Sequence, residues 1–112
     1  MDRFEELVAE ALDELPAWVH ERLDNVDVLI EDRPAADQPR NLLGLYEGIP
    51  LTERGGDYFG VLPDRITLYQ RNIEREARGE QDLKRVVGET VVHEVAHFFG
   101  IDDDRLDELG RY

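Results

Sequence analysis

The apolar residues near the start of the chain recur at helical spacing. They are Phe4, Leu7, Val8, Ala11, Leu12 and Leu15. Side chains at this spacing form one stripe along an α-helix, which is buried when the helix packs. Asp2, with a glutamate three positions later, resembles a capping box and marks the start of the helix. Pro16 interrupts the pattern, and residues 17–23 are predicted to form a second, short helix with Trp18 and Val19 facing inward.

The middle of the chain carries short runs rich in β-branched and aromatic residues, which predict strands. The predicted strands are residues 26–30, 42–46 and 65–69. The stretch 31–41 contains two prolines and mixed charges, so we expect a loop. Residues 51–58 are predicted to be a loop or an irregular edge, and residues 70–79 a helical turn or a connection.

A long helix is predicted to begin near Glu80 or Asp82, and its apolar residues surround it on nearly all sides. They are Leu83, Val86, Val87, Val91, Val92, Val95, Ala96, Phe98 and Phe99. Such a helix is usually buried. A short helix is predicted for residues 104–109. The fold class is therefore α+β in one domain, residues 1–112: two N-terminal helices, a three- or four-stranded sheet, the buried helix and a short C-terminal helix.

Composition narrows the classes of function. The 112 residues suit one small domain, and the formal net charge of −14 would repel phosphate backbones, so we expect no nucleic-acid partner. No apolar run approaches membrane-spanning length, and the charged N-terminus predicts no signal peptide. The chain has no cysteine, which excludes thiolate zinc sites and fits a reducing, cytoplasmic location. We expect a monomer or a weak homo-oligomer.

The predicted buried helix contains His93-Glu94-x-x-His97. Residues four apart lie one turn apart on the same face, so both imidazoles can point at one metal ion. Glu94 lies beside that face, where its carboxylate can take a proton from an attacking water. Gly100 supplies a left-handed residue that can end the helix and bring Asp103 back as a third ligand. Three protein ligands with one open position is the pattern of catalytic zinc.

Several carboxylates are candidates for the third metal ligand. Asp102, Asp103 and Asp104 stand in a row, and aspartate is also preferred as a helix cap. One of the three can cap while another binds the metal. Glu108 is a further candidate. Two imidazoles and a carboxylate also suit Fe²⁺ or Mn²⁺.

With these residues in view, the chain resembles the short bacterial zincin-like metallopeptidase family. The strongest match is the run from His93 to Asp103, and weaker matches cover residues 44–54 and 63–69. The resemblance spans roughly residues 28–109. It implies a zincin-like α+β fold, with a small mixed sheet packed on the metal-site helix. It also implies one Zn²⁺ per chain, held by His93, His97 and Asp103. It also implies that Glu94 is the catalytic acid and base.

The resemblance implies hydrolysis of a peptide or amide bond in a peptide or protein substrate. The alternative is a metal-binding or interaction module with the same fold and little or no catalysis. Larger zincins carry a methionine turn and a C-terminal wall, whereas here Met1 is the only methionine and nine residues follow Asp103. A third interpretation is a purely structural domain that binds no metal.

The sequence offers further candidates for substrate contacts. The tyrosines are possible oxyanion donors: Tyr46, Tyr58, Tyr69 and Tyr112. Arg54 can bind a substrate carboxylate or pair with a surface acid. The predicted strand 65–69, taken as an edge, can bind an extended peptide by strand addition.

Overall fold

The computed structural model of the chain describes residues 2–54 and 63–108. In chain order, its elements are α1 (Arg3–Asp13), α2 (Ala17–Arg22), β1 (Val26–Glu31), β2 (Gly44–Glu47), a 3₁₀ turn (Leu51–Glu53), β3 (Asp64–Tyr69), α3 (Gln70–Glu76), α4 (Glu80–Phe98) and α5 (Asp103–Glu108). The α+β prediction is confirmed. None of the helices in these residues is long and apolar enough to cross a membrane.

The strands form one three-stranded mixed sheet in the order β1-β3-β2. β1 pairs parallel with β3 from Val26 opposite Asp64, and β2 pairs antiparallel with β3 from Gly44 opposite Leu68. β3 is therefore the central strand, so the expectation that residues 65–69 form an edge is wrong. Its burial also does not alternate: within β3 only Arg65 is exposed, because β3 has a strand on each side and helices packed against it.

The core lies between the sheet and the helices. α1 begins where the Asp2 side chain accepts a hydrogen bond from the Glu5 amide, as the capping pattern predicts. The apolar stripe of α1 packs on α4, which also contacts β2, β3 and α3. The fully buried side chains of the core are Phe98, Leu7, Ile66, Leu68, Ile73, Val87 and Val91. α4 is thus the central helix around which the other elements pack.

Several local predictions differ from the structure. Trp18 was expected to face inward but is 55% exposed, and it packs its ring at 5.7 Å from Phe99. Val92 lies on an exposed face of α4, so that helix is buried on part of its circumference only. Within the stretch 70–79, Gln70–Glu76 forms the regular helix α3, and residues 77–79 connect it to α4. Residues 55–58, predicted as loop or edge, lie outside the described residues.

Candidate metal centre

α4 places two imidazole rings side by side near its C-terminal end. The ring centroids of His93 and His97 lie 4.7 Å apart, and their side chains are 21% and 23% exposed. The spacing of four residues puts both on the same face, as the sequence predicts. The two rings therefore sit at the boundary between core and solvent, where a ligand from solvent can reach them.

The chain reverses after α4 and brings a carboxylate back to the histidines. Gly100 has a φ of +87°, a left-handed conformation that ends the helix and favours glycine. A Cβ at Gly100 would also lie 2.2 Å from the hydroxyl oxygen of Thr52. After this turn, Oδ1 of Asp103 lies 3.0 Å from Nε2 of His93 and 3.2 Å from Nε2 of His97. One oxygen and two nitrogens thus converge on one point.

This donor set fits a divalent cation. Zn–N bonds of ~2.0–2.1 Å in a tetrahedral site place neighbouring ligand atoms about 3.3 Å apart, which is close to the two distances from Asp103. Nδ1 of His97 lies 2.8 Å from the carbonyl oxygen of Ile101. A proton held there leaves Nε2 free to bind metal, which is how backbone carbonyls orient ligating histidines. Glu94 also offers an oxygen within 4.8 Å of both histidine donors.

Neighbouring acids of the C-terminal segment have other contacts. Oδ1 of Asp102 accepts a hydrogen bond from the Arg105 amide at 2.9 Å, so Asp102 caps the start of α5. Glu108 pairs with the Arg105 guanidinium at 2.8 Å. Asp104 is exposed in the first turn of α5. Of the carboxylates considered from the sequence as the third ligand, the structure brings Asp103 to the two histidines.

Glu94 is buried beside the histidines. Its side chain is only 5% exposed and packs against the backbone of β2, where it accepts a hydrogen bond from the Tyr46 amide. Burial raises the pKa of the Glu94 carboxyl to about 7, and the negative charge of Asp103 acts in the same direction. His97 and the Tyr46 amide oppose the shift. A carboxyl with a pKa near neutrality can both accept and return a proton, as a general base and acid must.

Gly44 allows this close approach of Glu94 to β2. A Cβ at position 44 would lie 2.9 Å from the Thr90 methyl carbon and 3.1 Å from Cγ of Glu94. We expect Gly44→Ala to destabilise the protein by ~1–3 kcal/mol, because overpacking displaces neighbouring side chains. Thermal melting should therefore shift down by several degrees.

Gly88 in α4 provides the matched control, because a Cβ there would meet nothing within 4 Å. Alanine is the better helix former by ~1 kcal/mol, so Gly88→Ala should be neutral or stabilising. Equal melting temperatures for Gly44→Ala and the unchanged protein would show that Glu94 does not pack against β2 as described.

A buried polar cluster next to the site was missed by the sequence reasoning. Asp64 is 2% exposed; its Oδ2 accepts from the Tyr46 hydroxyl at 2.5 Å and from Nη2 of Arg54 at 2.7 Å. Burial and the Asp64 hydrogen bond raise the pKa of Tyr46. The Arg54 guanidinium also lies 5.0 Å from the Phe98 ring centroid. Arg54 and Tyr46 therefore tie the segment before residue 55 to β2, β3 and α4.

These contacts change the roles expected of the polar side chains. The Arg54 side chain is 9% exposed and pairs with the buried carboxylate of Asp64, not with a surface acid as expected. Tyr69 is buried at the end of β3. Tyr58 and Tyr112 lie outside the described residues. In the sequence analysis Asp64 lies within the weaker family match over residues 63–69, but no pattern of charges there marked it as a buried partner of Arg54 and Tyr46.

A cavity of about 390 Å³ opens next to the candidate metal centre. Its walls are the segment 41–44, one face of α4 between Arg85 and Glu94, and Glu76 at the end of α3. His93 and Glu94 are among its lining residues. Pockets of this size hold small ligands or part of a peptide. The sequence did not predict this groove, because its walls come from three separate stretches of the chain.

Comparisons with known proteins agree with this geometry. The sequence profile of a family described as zincin-like metallopeptidase matches residues 23–111. The chain is similar to the solved structure of a conserved hypothetical protein from Thermo thermophilus. That similarity has a TM-score of 0.56 and 29% sequence identity, and it covers 96% of this chain and 94% of that chain. No curated protein gives a significant match.

Proposed function

The chain belongs to the zincin-like metallopeptidase family, and from this premise we propose that it is a zinc-dependent hydrolase of peptide or amide bonds. The observation that carries the proposal is the convergence of His93, His97 and Asp103 beside the buried carboxylate of Glu94. We propose the first three as the ligands of one Zn²⁺ per chain and Glu94 as the catalytic acid and base. The absence of cysteine supports a cytoplasmic location.

The roles of the residues follow from their positions. His93, His97 and Asp103 would hold a zinc ion, which would supply a Lewis acid for the scissile carbonyl and the attacking water. Glu94 takes a proton from the attacking water on its buried carboxylate and delivers it to the leaving amine. The Tyr46 amide holds the Glu94 carboxylate at the edge of β2, and the Ile101 carbonyl fixes the orientation of His97. Both contacts restrict the geometry of the reacting groups before the substrate binds.

The substrate is proposed to lie along β2. In the order β1-β3-β2, β2 has β3 on one side only within the described residues. The Tyr46 amide donates to Glu94, so the edge of β2 away from β3 faces the candidate catalytic carboxylate. An extended peptide added at this edge would pass through the groove beside His93 and Glu94. Strand addition is thus proposed at β2, in place of the buried strand 65–69.

The second candidate is a metal-binding or interaction module without catalysis. The exposure of Asp103 favours it, because that side chain is 76% exposed and the candidate site is open on that side. A generic peptide library, incubated with zinc-loaded protein and with chelator-treated protein, separates the two candidates. Cleavage that is lost with chelator supports the hydrolase. Zinc at one ion per chain without cleavage supports the module.

Zinc should raise the thermal stability of the protein. A ligand that binds only the folded state stabilises it by RT ln(1 + [L]/Kd), which is ~2.7 kcal/mol at 100 times Kd. For a chain of 112 residues this corresponds to several degrees in melting temperature. Melting curves with excess zinc and after removal of metal measure the difference. Identical curves would contradict a site coupled to the folded state.

A further inference from the structure

A second cavity, of about 440 Å³, is lined by the loop after β1 and by α3. Its charged lining residues are Arg33 and Arg40 from the loop after β1 and Arg75 from α3, and its lining contains no aspartate or glutamate. The rest of the lining is proline, alanine, glutamine and asparagine. We call the cavity lined by Arg33, Arg40 and Arg75 the arginine pocket. An all-cationic cavity is unexpected in a chain with a net charge of −14.

The guanidinium groups of the arginine pocket have no direct acidic partner in the described residues, although Arg75 also lines another cavity together with Asp32 and Glu74. Within residues 2–54 and 63–108, none of the three forms an ion pair or a side-chain hydrogen bond. Some other cations of the described residues are paired, including Arg3 with Glu80 and Arg85 with Glu89, whereas the exposed Arg65 and Arg71 are not. Glu74, on the same helix as Arg75, accepts a hydrogen bond from Gln70. Three like charges that share one cavity repel each other until an anion joins them.

The backbone around the pocket is held in place. The buried side-chain amide of Asn72 donates to the carbonyl oxygens of Arg40 and Leu42, at 2.8 and 2.7 Å. The Arg71 amide donates to the carbonyl oxygen of Asp32 at 3.1 Å, which fixes the other end of the loop. Both ends of the loop are therefore tied to α3. A ligand that bridges Arg33, Arg40 and Arg75 would find their backbones already in position, which lowers the entropic cost of binding.

We propose that the arginine pocket binds the dianionic phosphate group of a phosphomonoester. Guanidinium groups donate paired N–H bonds to phosphate and carboxylate oxygens. A phosphate with two negative charges and three terminal oxygens can engage all three arginines, whereas one carboxylate has two oxygens. The group is carried by a phosphorylated peptide or by a small phosphate. A nucleic acid is disfavoured, because its other phosphates would meet the acidic remainder of the surface.

Phosphate binding is tested by titration at constant ionic strength, followed by amide NMR shifts of the metal-free and the zinc-loaded protein. The probes are inorganic phosphate and a short peptide that contains one phosphoserine, with the unphosphorylated peptide as reference. We expect saturable shifts at residues 33–40 and 72–75. Shifts confined to residues 93–103 would mean that phosphate binds at the metal centre, and this would overturn the proposal. Tighter binding of the phosphopeptide than of inorganic phosphate would identify a peptide as the source; equal binding would identify a small phosphate.

Charge-matched variants distinguish the pocket from general electrostatics. Arg75→Gln and Arg40→Gln should each weaken phosphate binding about ten-fold, the loss expected when one charge-assisted contact is removed. Arg65→Gln removes the same charge from an exposed position on β3 and should leave binding unchanged. All three positions are exposed, so the variants should fold. Three results would overturn the proposal. They are equal losses in all three variants, no saturable binding, or tighter binding at these arginines of an oligonucleotide without a terminal phosphate than of inorganic phosphate.

Discussion

Glu94→Gln is expected to abolish peptide hydrolysis while leaving zinc bound and the fold intact. The amide of glutamine has nearly the shape of the carboxylate but cannot accept a proton from water. Loss of general acid and base assistance typically lowers the rate 10²–10⁴-fold. Steady-state cleavage of a peptide found in the library measures this loss, and metal analysis of the purified variant measures the retained zinc. Glu21→Gln, which removes the same charge from an exposed position on α2, should keep full activity.

The metal-free protein gives an independent readout of the same substitution. The Glu94 carboxyl has a pKa raised from 4.5 to about 7 in the folded chain, mainly by burial. The folded state therefore holds this proton more tightly than the unfolded state, and stability falls as pH rises from about 4.5 to about 7. Glu94→Gln removes this decline. A variant that retains hydrolysis, or that melts with the same pH dependence as the unchanged metal-free protein, would contradict the position and role given to Glu94.

The parts of the site that lie on one helix could be predicted from the sequence. The spacing of His93 and His97 puts them on one face in any α-helix, and the pattern of apolar residues predicts α4. Gly100 could be read as the end of the helix because glycine tolerates positive φ. In these cases the geometry depends only on residues that are close together in the sequence.

The parts that depend on packing between distant stretches could not be predicted. Strand order decides that β3 is central, and no local pattern within residues 64–69 distinguishes a central strand from an edge. Asp64 becomes a buried partner of Arg54 and Tyr46 only because β2 pairs with β3. Trp18 has the side chain of a core residue, yet it packs on Phe99 at the surface. In each case tertiary contacts, rather than local preference, determine the outcome.

His93→Ala and His97→Ala are each expected to lose zinc at micromolar metal concentrations. Each change leaves two protein ligands of the proposed three, and catalytic zinc sites are built from three. Zinc affinity measured by competition with a chromogenic chelator gives the loss directly. Hydrolysis and the stabilisation by zinc should disappear together with the metal. His20→Ala is the control, because His20 is exposed on α2 and should leave zinc affinity unchanged.

The third ligand is decided by alanine variants of the acids that follow α4. Asp103→Ala should weaken zinc binding strongly, because Oδ1 of Asp103 is the oxygen that lies within 3.2 Å of both histidine Nε2 atoms. Asp102→Ala should cost about 1 kcal/mol of stability through loss of the α5 cap and leave zinc affinity nearly unchanged. Asp104→Ala and Glu108→Ala should matter little to zinc. If Glu108→Ala loses the metal while Asp103→Ala keeps it, the ligand is Glu108, and α5 must rotate so that Glu108 leaves Arg105 and reaches the histidines.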